Sequence, residues 1–114
     1  MAKYKKVVVA NAWSINMLSK KSLVSFEPIT TDEAKEIVRN ADEVLSIVGH
    51  RGTAPVFSQL LGVDIEYNRV IYKMEKTDLM IVGVLGTRLP EGKILTKEEL
   101  ANLPIQWWKV EQLV

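Results

Sequence analysis

Apolar residues along this chain fall into blocks whose spacing changes from consecutive to helical to alternating. Residues 4 to 10, YKKVVVA, end in three valines and an alanine with no polar residue between them, which predicts a strand buried on both faces at its end. SINML then predicts a helical turn with Ser14 as its N-cap, and SLVSFEPI a second strand stopped by Pro28. Lys20 and Lys21 between them read as a solvated connection. Thr30 followed by Glu33 forms a capping box for a helix over residues 32 to 40, with Ala34, Ile37 and Val38 on one face and Asn40 as the stop. EVLSIV, residues 43 to 48, predicts a buried strand running into Gly49 and His50. Thr53 is placed to cap the next helix, Pro55 fits its first turn, and Gly62 closes it after the stripe Val56, Phe57, Leu60 and Leu61.

RVIYKME and LMIVGVLG predict two strands joined by KTD as a hairpin, and TRLPEGKI breaks all periodicity, as an ordered loop does. Thr96 with Glu99 is a second capping box, opening a short helix through Leu100, and IQWWKVEQL alternates as a last strand. No repeat, low-complexity segment or linker interrupts the chain. The order β, turn, β, α, β, α, β, β, α, β predicts a single domain over residues 1–114. Its expected class is α/β, with α+β as the alternative: a mixed sheet of about five or six strands flanked by helices. The strand-helix-strand stretch over residues 43 to 75 is long enough to act as a parallel crossover.

Composition narrows the function. A chain of 114 residues, 47% hydrophobic and 25% charged, is ordinary for one globular domain. Its uninterrupted apolar runs, such as VVVA, are far short of the ~20 residues a bilayer crossing needs, and no secretory h-region opens the chain. A soluble cytoplasmic protein without membrane partners is expected, in the host cytoplasm if a virus encodes it. The absence of cysteine excludes disulfides, thiol chemistry and zinc-cysteine sites. Fifteen basic and 14 acidic residues leave a net charge of +1, which argues against duplex nucleic acid as a partner because that binding relies on many cations. A small anionic ligand needs only a few.

His50 is the only histidine, and it stands where a predicted strand gives way to a helix. In open α/β sheets ligands gather there, because strand ends and unpaired helix amides face one crevice. Two readings stand side by side: a general acid or base, or an imidazole bonded to the backbone at a tight turn. Asn11, Ser14 and Asn16 follow the first strand in the same way, as turn and cap residues or as polar ligands. Arg88 and Glu91 are either a lid over a site or an ion pair on a solvated loop. Trp107 and Trp108 could stack on bases, but neighbours in a strand face opposite ways, so at least one belongs to the core. Asp32, Glu33 and Glu36 are explained by capping and solvation, so no metal site and no cofactor is expected.

The stretches VANAWSINML, SIVGHRGTA, LLGV, YNRV and RLPEGK occur in the order and spacing of a known group. From about residue 5 to residue 111 the chain resembles the viral type III anti-CRISPR ring nucleases, formerly a domain of unknown function from archaeal viruses, with bacterial and prophage relatives. The resemblance implies a homodimer that holds cyclic tetra-adenylate across its two subunits and cuts it to linear di-adenylates without metal. It implies His50 as the catalytic histidine. Asn11, Ser14 and Asn16 then line the pocket, with Ser14 also in the catalytic set. Arg88 and Glu91 form the charged pair of a lid, and Arg69 of YNRV is a further ligand contact. Val84 stands where the family can carry a polar residue, so one contact is implied to be missing. Beside this stand a protein that sequesters the ring without cutting it and, on less, a DNA-binding regulator with a steep salt dependence.

Overall fold

The computed structural model describes residues 5–87 and 95–114. It holds one sheet of five strands: β1 (Lys6–Ala10), β2 (Val24–Ile29), β3 (Glu43–Ser46), β4 (Leu79–Leu85) and β5 (Ile105–Gln112), in the order β2-β5-β4-β1-β3. β1 pairs in parallel with β3 and β4, whereas β5 is antiparallel to both β4 and β2. The mixed α/β sheet expected from the sequence is therefore present, with five strands. β1 sits second from one edge and is buried from Val7 to Ala10, as its unalternating valines require.

Two helices, α1 (Thr31–Arg39) and α2 (Thr53–Leu61), pack against each other on one face. There Val7, Val9 and Ile81 meet Ala34, Val38, Phe57, Leu61 and Trp107. α3 (Lys97–Ala101) precedes the last strand. Both predicted capping boxes form, Thr30 with Glu33 and Thr96 with Glu99. Gly62 ends α2 at φ 73°, in the left-handed region where its missing Cβ removes the steric penalty.

The sheet's opposite face is covered by irregular chain. Val8, Ala10, Met80, Val82 and Val110 are packed by Trp13, Met17, Leu18, Tyr72 and Met74. A 3₁₀ turn, Ile15–Met17, carries Met17, and the 72–74 segment runs alongside it: Met74 N–H donates to the Met17 carbonyl at 2.8 Å, and Lys73 Nζ to that of Asn16 at 2.6 Å. Tyr72 donates to Asp78, which also lies 3.7 Å from Lys6 Nζ. Burial and then this hydrogen bond hold the Tyr72 phenol well above the usual tyrosine range.

Four expectations need correction. Residues 69–75 are not a strand, so the KTD hairpin does not exist; this segment packs with Met74 and Tyr72 over the sheet instead of joining it. LMIVGVL is a strand, but it pairs with β1 and β5. Pro28 does not stop β2, which continues to Ile29; β2 is an edge strand, where proline's missing N–H costs no ladder bond on the open side. Thr53 does not cap α2: Gly52 holds that position without a side-chain bond, and Thr53 is the helix's first residue. The adjacent tryptophans do divide, Trp107 buried under the helices and Trp108 on the other face.

Candidate functional site

The three parallel strands β1, β3 and β4 end on one side of the sheet, where Asn11 and Gly86 directly follow β1 and β4 and His50 lies four residues beyond β3. A cleft of about 310 Å³ opens at that edge, lined by Asn11, His50, Thr53, Gly83, Val84 and Thr87 among others. It is the crevice that the parallel topology creates, beside the first turn of α2.

Each wall has a local cause. Asn11 turns back toward β3, and its Oδ1 accepts the Gly49 backbone N–H at 3.1 Å, tying the end of β1 to the residue before His50. The His50 carbonyl accepts from Thr53 N–H at 3.1 Å and Ala54 N–H at 3.3 Å, so the histidine is anchored to the opening turn of α2. Its side chain is exposed, and its Nδ1 lies 3.1 Å from Thr53 Oγ1. Thr53 itself is only 5% exposed, a buried hydroxyl under an accessible ring. Among the described residues His50 Nε2 has no hydrogen-bond partner, so one ring nitrogen is held while the other is left open to a ligand. Gly83 closes the floor. A Cβ there would stand 2.6 Å from Trp107 and 2.7 Å from Phe57, so the close packing beneath the cleft demands glycine.

The remaining sequence candidates are distributed differently. Ser14 and Asn16 lie exposed on the 3₁₀ turn; Ser14 Oγ caps it by accepting Asn16 N–H at 3.3 Å. Neither lines the His50 cleft of the same chain. Arg69 is exposed beyond the end of β3, with its stem beside Gly49. Next to it Tyr67 carries the Arg51 guanidinium 4.7 Å above its ring. Arg88 and Glu91 lie outside the described residues. The residue that the sequence assigned to another task is Thr53. Its spacing of three from His50, across a turn opening a helix, was the available signal.

Among the described residues no three His, Cys, Asp or Glu side chains gather in a group able to hold a metal, and no helix is long and apolar enough to cross a membrane. The cleft offers instead an imidazole, a hydroxyl and a carboxamide over an apolar floor. That set can hold a polar ligand and move one proton, which is the equipment of acid catalysis.

Comparison with known proteins adds the following. The model of the STIV B116-like family matches residues 7–107. An uncharacterized protein, protein 26 of Sulfolobus islandicus filamentous virus (isolate Iceland/Hveragerdi), is 33% identical over 93 residues, covering 81% of this chain and 78% of that one. Uncharacterized protein YddF of Bacillus subtilis (strain 168) is 34% identical over 88 residues, 76% of this chain and 82% of the other. Among solved structures, B116 of Sulfolobus turreted icosahedral virus superimposes with a TM-score of 0.82 at 25% identity, covering 93% of this chain and 98% of its own.

Proposed function

Because this chain belongs to the STIV B116-like family, which matches nearly the same stretch as its ring-nuclease motifs, we propose that it is a metal-independent ring nuclease cleaving cyclic tetra-adenylate. The observation that carries this reading is the convergence of Asn11 and His50 on one cleft, with Thr53 fixing the His50 ring.

The chemistry needs one well-placed proton donor. A ribose 2′-hydroxyl attacks its own 3′-phosphorus; the new O2′–P bond forms as the P–O5′ bond breaks, and the hydroxyl proton passes to solvent. The departing 5′-oxygen is a poor leaving group as an alkoxide. His50 as imidazolium donates its Nε2 proton to that oxygen, a step worth typically about 10² to 10⁴ in rate. In the imidazolium both ring nitrogens are donors, so Thr53 Oγ1 accepts from Nδ1 and aims Nε2 into the cleft. Asn11 offers its amide N–H₂ to a phosphate or ribose oxygen while its Oδ1 stays on Gly49, and Arg88 stabilises charge on the phosphorane. The resemblance implies Glu91 as the charged partner of Arg88, and implies Ser14, Asn16 and Arg69, which lie outside the cleft of their own chain, as contacts from the second subunit that hold ribose and phosphate in line for attack; the nucleophile belongs to the substrate, so the step requires no metal.

The size of the site favours a homodimer. A cleft of about 310 Å³ is at the small end for one drug-sized ligand, typically ~300–1,000 Å³, and a ring of four nucleotides is larger than that. A two-fold dimer presents its patch twice about a dyad, and a ring of four equal nucleotides contains the same axis. Two His50 side chains then face opposite phosphodiesters and release two di-adenylates. In the cell this switches off type III CRISPR signalling.

The deciding experiment incubates the protein with cyclic tetra-adenylate in excess EDTA and separates the products. Linear di-adenylates, lost in His50→Ala while binding persists, support the reading. An intact ring after many equivalents leaves a sequestering protein and overturns it.

A further inference from the structure

The turn that carries Ser14 and Asn16 takes its position from one short stretch of chain far away in sequence. It is a 3₁₀ turn of three residues, Ile15–Met17, none of them buried, and so short a piece has little stability of its own. Among the described residues, every hydrogen bond that residues 13–18 make beyond themselves ends on Lys73 or Met74. Trp13 Nε1 donates to Met74 Sδ at 3.2 Å, Met74 N–H donates to the Met17 carbonyl at 2.8 Å, and Lys73 Nζ donates to the Asn16 carbonyl at 2.6 Å. The last is short because its donor is charged. Lys73 and Met74 belong in turn to a strap that is fixed at two points. Asn68 N–H donates to the Val48 carbonyl at 2.9 Å and Asn68 Nδ2 to the Ser46 carbonyl at 2.8 Å, which clamps one end to the chain between β3 and His50. Tyr72 donates to Asp78 at the foot of β4, which holds the other. Met74 is buried in the face that the strap covers, whereas Lys73 is exposed and adds nothing to the core. Its bond to Asn16 is the one hydrogen bond it makes among the described residues.

We propose that Lys73 is a positioning residue: its ammonium fixes the Asn16 carbonyl, so that Ser14 and Asn16 project from a turn of set orientation toward the ring in the second subunit's cleft. The inference rests on the reading of the protein as a ring nuclease and deepens it by naming what aligns the polar ligands. With the Met17 carbonyl held by Met74 alone, the peptide that joins Asn16 to Met17 is free to tilt. With both carbonyls held, the turn has one plane. In-line attack on phosphorus is sensitive to such a tilt, since a misplacement of about 1 Å can cost about 10² in rate. Arg69 leaves the same strap, between its clamp at Asn68 and the tether at Lys73. The three residues implied as ligands from the second subunit therefore share one frame, and the clamped end of that frame is bonded to the segment leading to His50.

The test compares Lys73→Met, which keeps the apolar stem and removes the ammonium, with Lys73→Arg, which returns a cationic donor. Single-turnover cleavage of saturating cyclic tetra-adenylate should slow by about 10- to 100-fold in Lys73→Met and recover in Lys73→Arg, with unfolding midpoints of both close to wild type. Amide exchange at Met17 and Leu18, followed without ligand, should be about 5-fold faster in Lys73→Met, the weight of one net hydrogen bond, while the amides of β1 and β4 keep their wild-type rates. Faster exchange with an unchanged cleavage rate overturns the positioning role. Unchanged exchange with slower cleavage also overturns it, because Lys73 then acts on the phosphates directly through its charge. A wild type that leaves the ring intact overturns the functional reading, and the exchange rates, which need no ligand, keep that failure apart from a failure of the tether.

Discussion

Thr53 Oγ1 lies 3.1 Å from His50 Nδ1, placing a hydroxyl from the first residue of α2 beneath the only imidazole in the chain. Such a contact selects one ring orientation and leaves Nε2 without a protein partner among the described residues. Thr53→Val keeps the side chain's shape and removes the acceptor. Single-turnover cleavage of saturating cyclic tetra-adenylate should slow by about 10- to 100-fold, the scale of a misplaced catalytic group. Affinity should be nearly unchanged, and Thr53→Ser should restore the rate. Equal rates in Thr53→Val and wild type would show that the hydroxyl does not position the ring.

Asn11 has a structural and a ligand role that can be pulled apart. Its Oδ1 accepts from Gly49 N–H at 3.1 Å. Asn11→Ala leaves that partly buried donor without its acceptor and should cost about 1–3 kcal/mol of stability in urea unfolding. Asn11→Asp preserves the acceptor and exchanges the amide donor for negative charge. It should fold nearly as well as wild type but bind the anionic ring more weakly, most clearly at low salt. An Asp variant with wild-type affinity would confine Asn11 to bracing the loop.

Legibility in the sequence followed the range of the interactions. The capping boxes at Thr30 and Thr96, the Gly62 stop and the buried valines of β1 are settled within a few residues, and each was readable. The 69–75 segment was not. Its alternation imitates a strand, yet both sides of its expected hairpin partner β4 are held by β1 and β5, and its apolar residues are used to cover the face instead. Pro28 failed as a stop for a related reason, since only the strand order reveals that β2 is an edge. At the site, the strand-end positions of Asn11 and His50 were readable from the block pattern, but Thr53 looked like a cap until Gly52 was seen in that place.

Glu33 supplies a stability test independent of any ligand. Its carboxylate accepts the Thr30 backbone N–H at 3.0 Å, and this bond, followed by the Thr30 hydroxyl contact, lowers its pKa. A carboxylate held lower in the folded chain than in the unfolded one stabilises fully above the unfolded value, about 4.3 for glutamate. The contribution disappears as pH falls through the lowered folded value. Denaturation midpoints should decline across that acidic window in wild type and decline less in Glu33→Gln, whose amide can still cap but does not titrate. Identical slopes for the two proteins would remove this linkage.

Gly83 joins packing to the cleft most directly. Its position is where β4 passes under Phe57 and Trp107, whose ring centroids are 4.9 Å apart. Trp107 is further fixed by donating its indole N–H to Thr31 Oγ1 at 3.1 Å. In Gly83→Ala the new methyl meets Trp107 Cζ3 at 2.6 Å and Phe57 Cζ at 2.7 Å, so both rings or the strand itself must move. Overpacking of this kind costs typically about 1–3 kcal/mol. Phe57 lies on α2, the helix that carries Thr53, so its displacement should also slow cleavage. Adding Phe57→Leu removes one of the two clashing rings, and the double variant should be more stable than the sum of the two single losses predicts. Strict additivity in that cycle would mean that the strand shifts away from both rings and that Phe57 does not support the site.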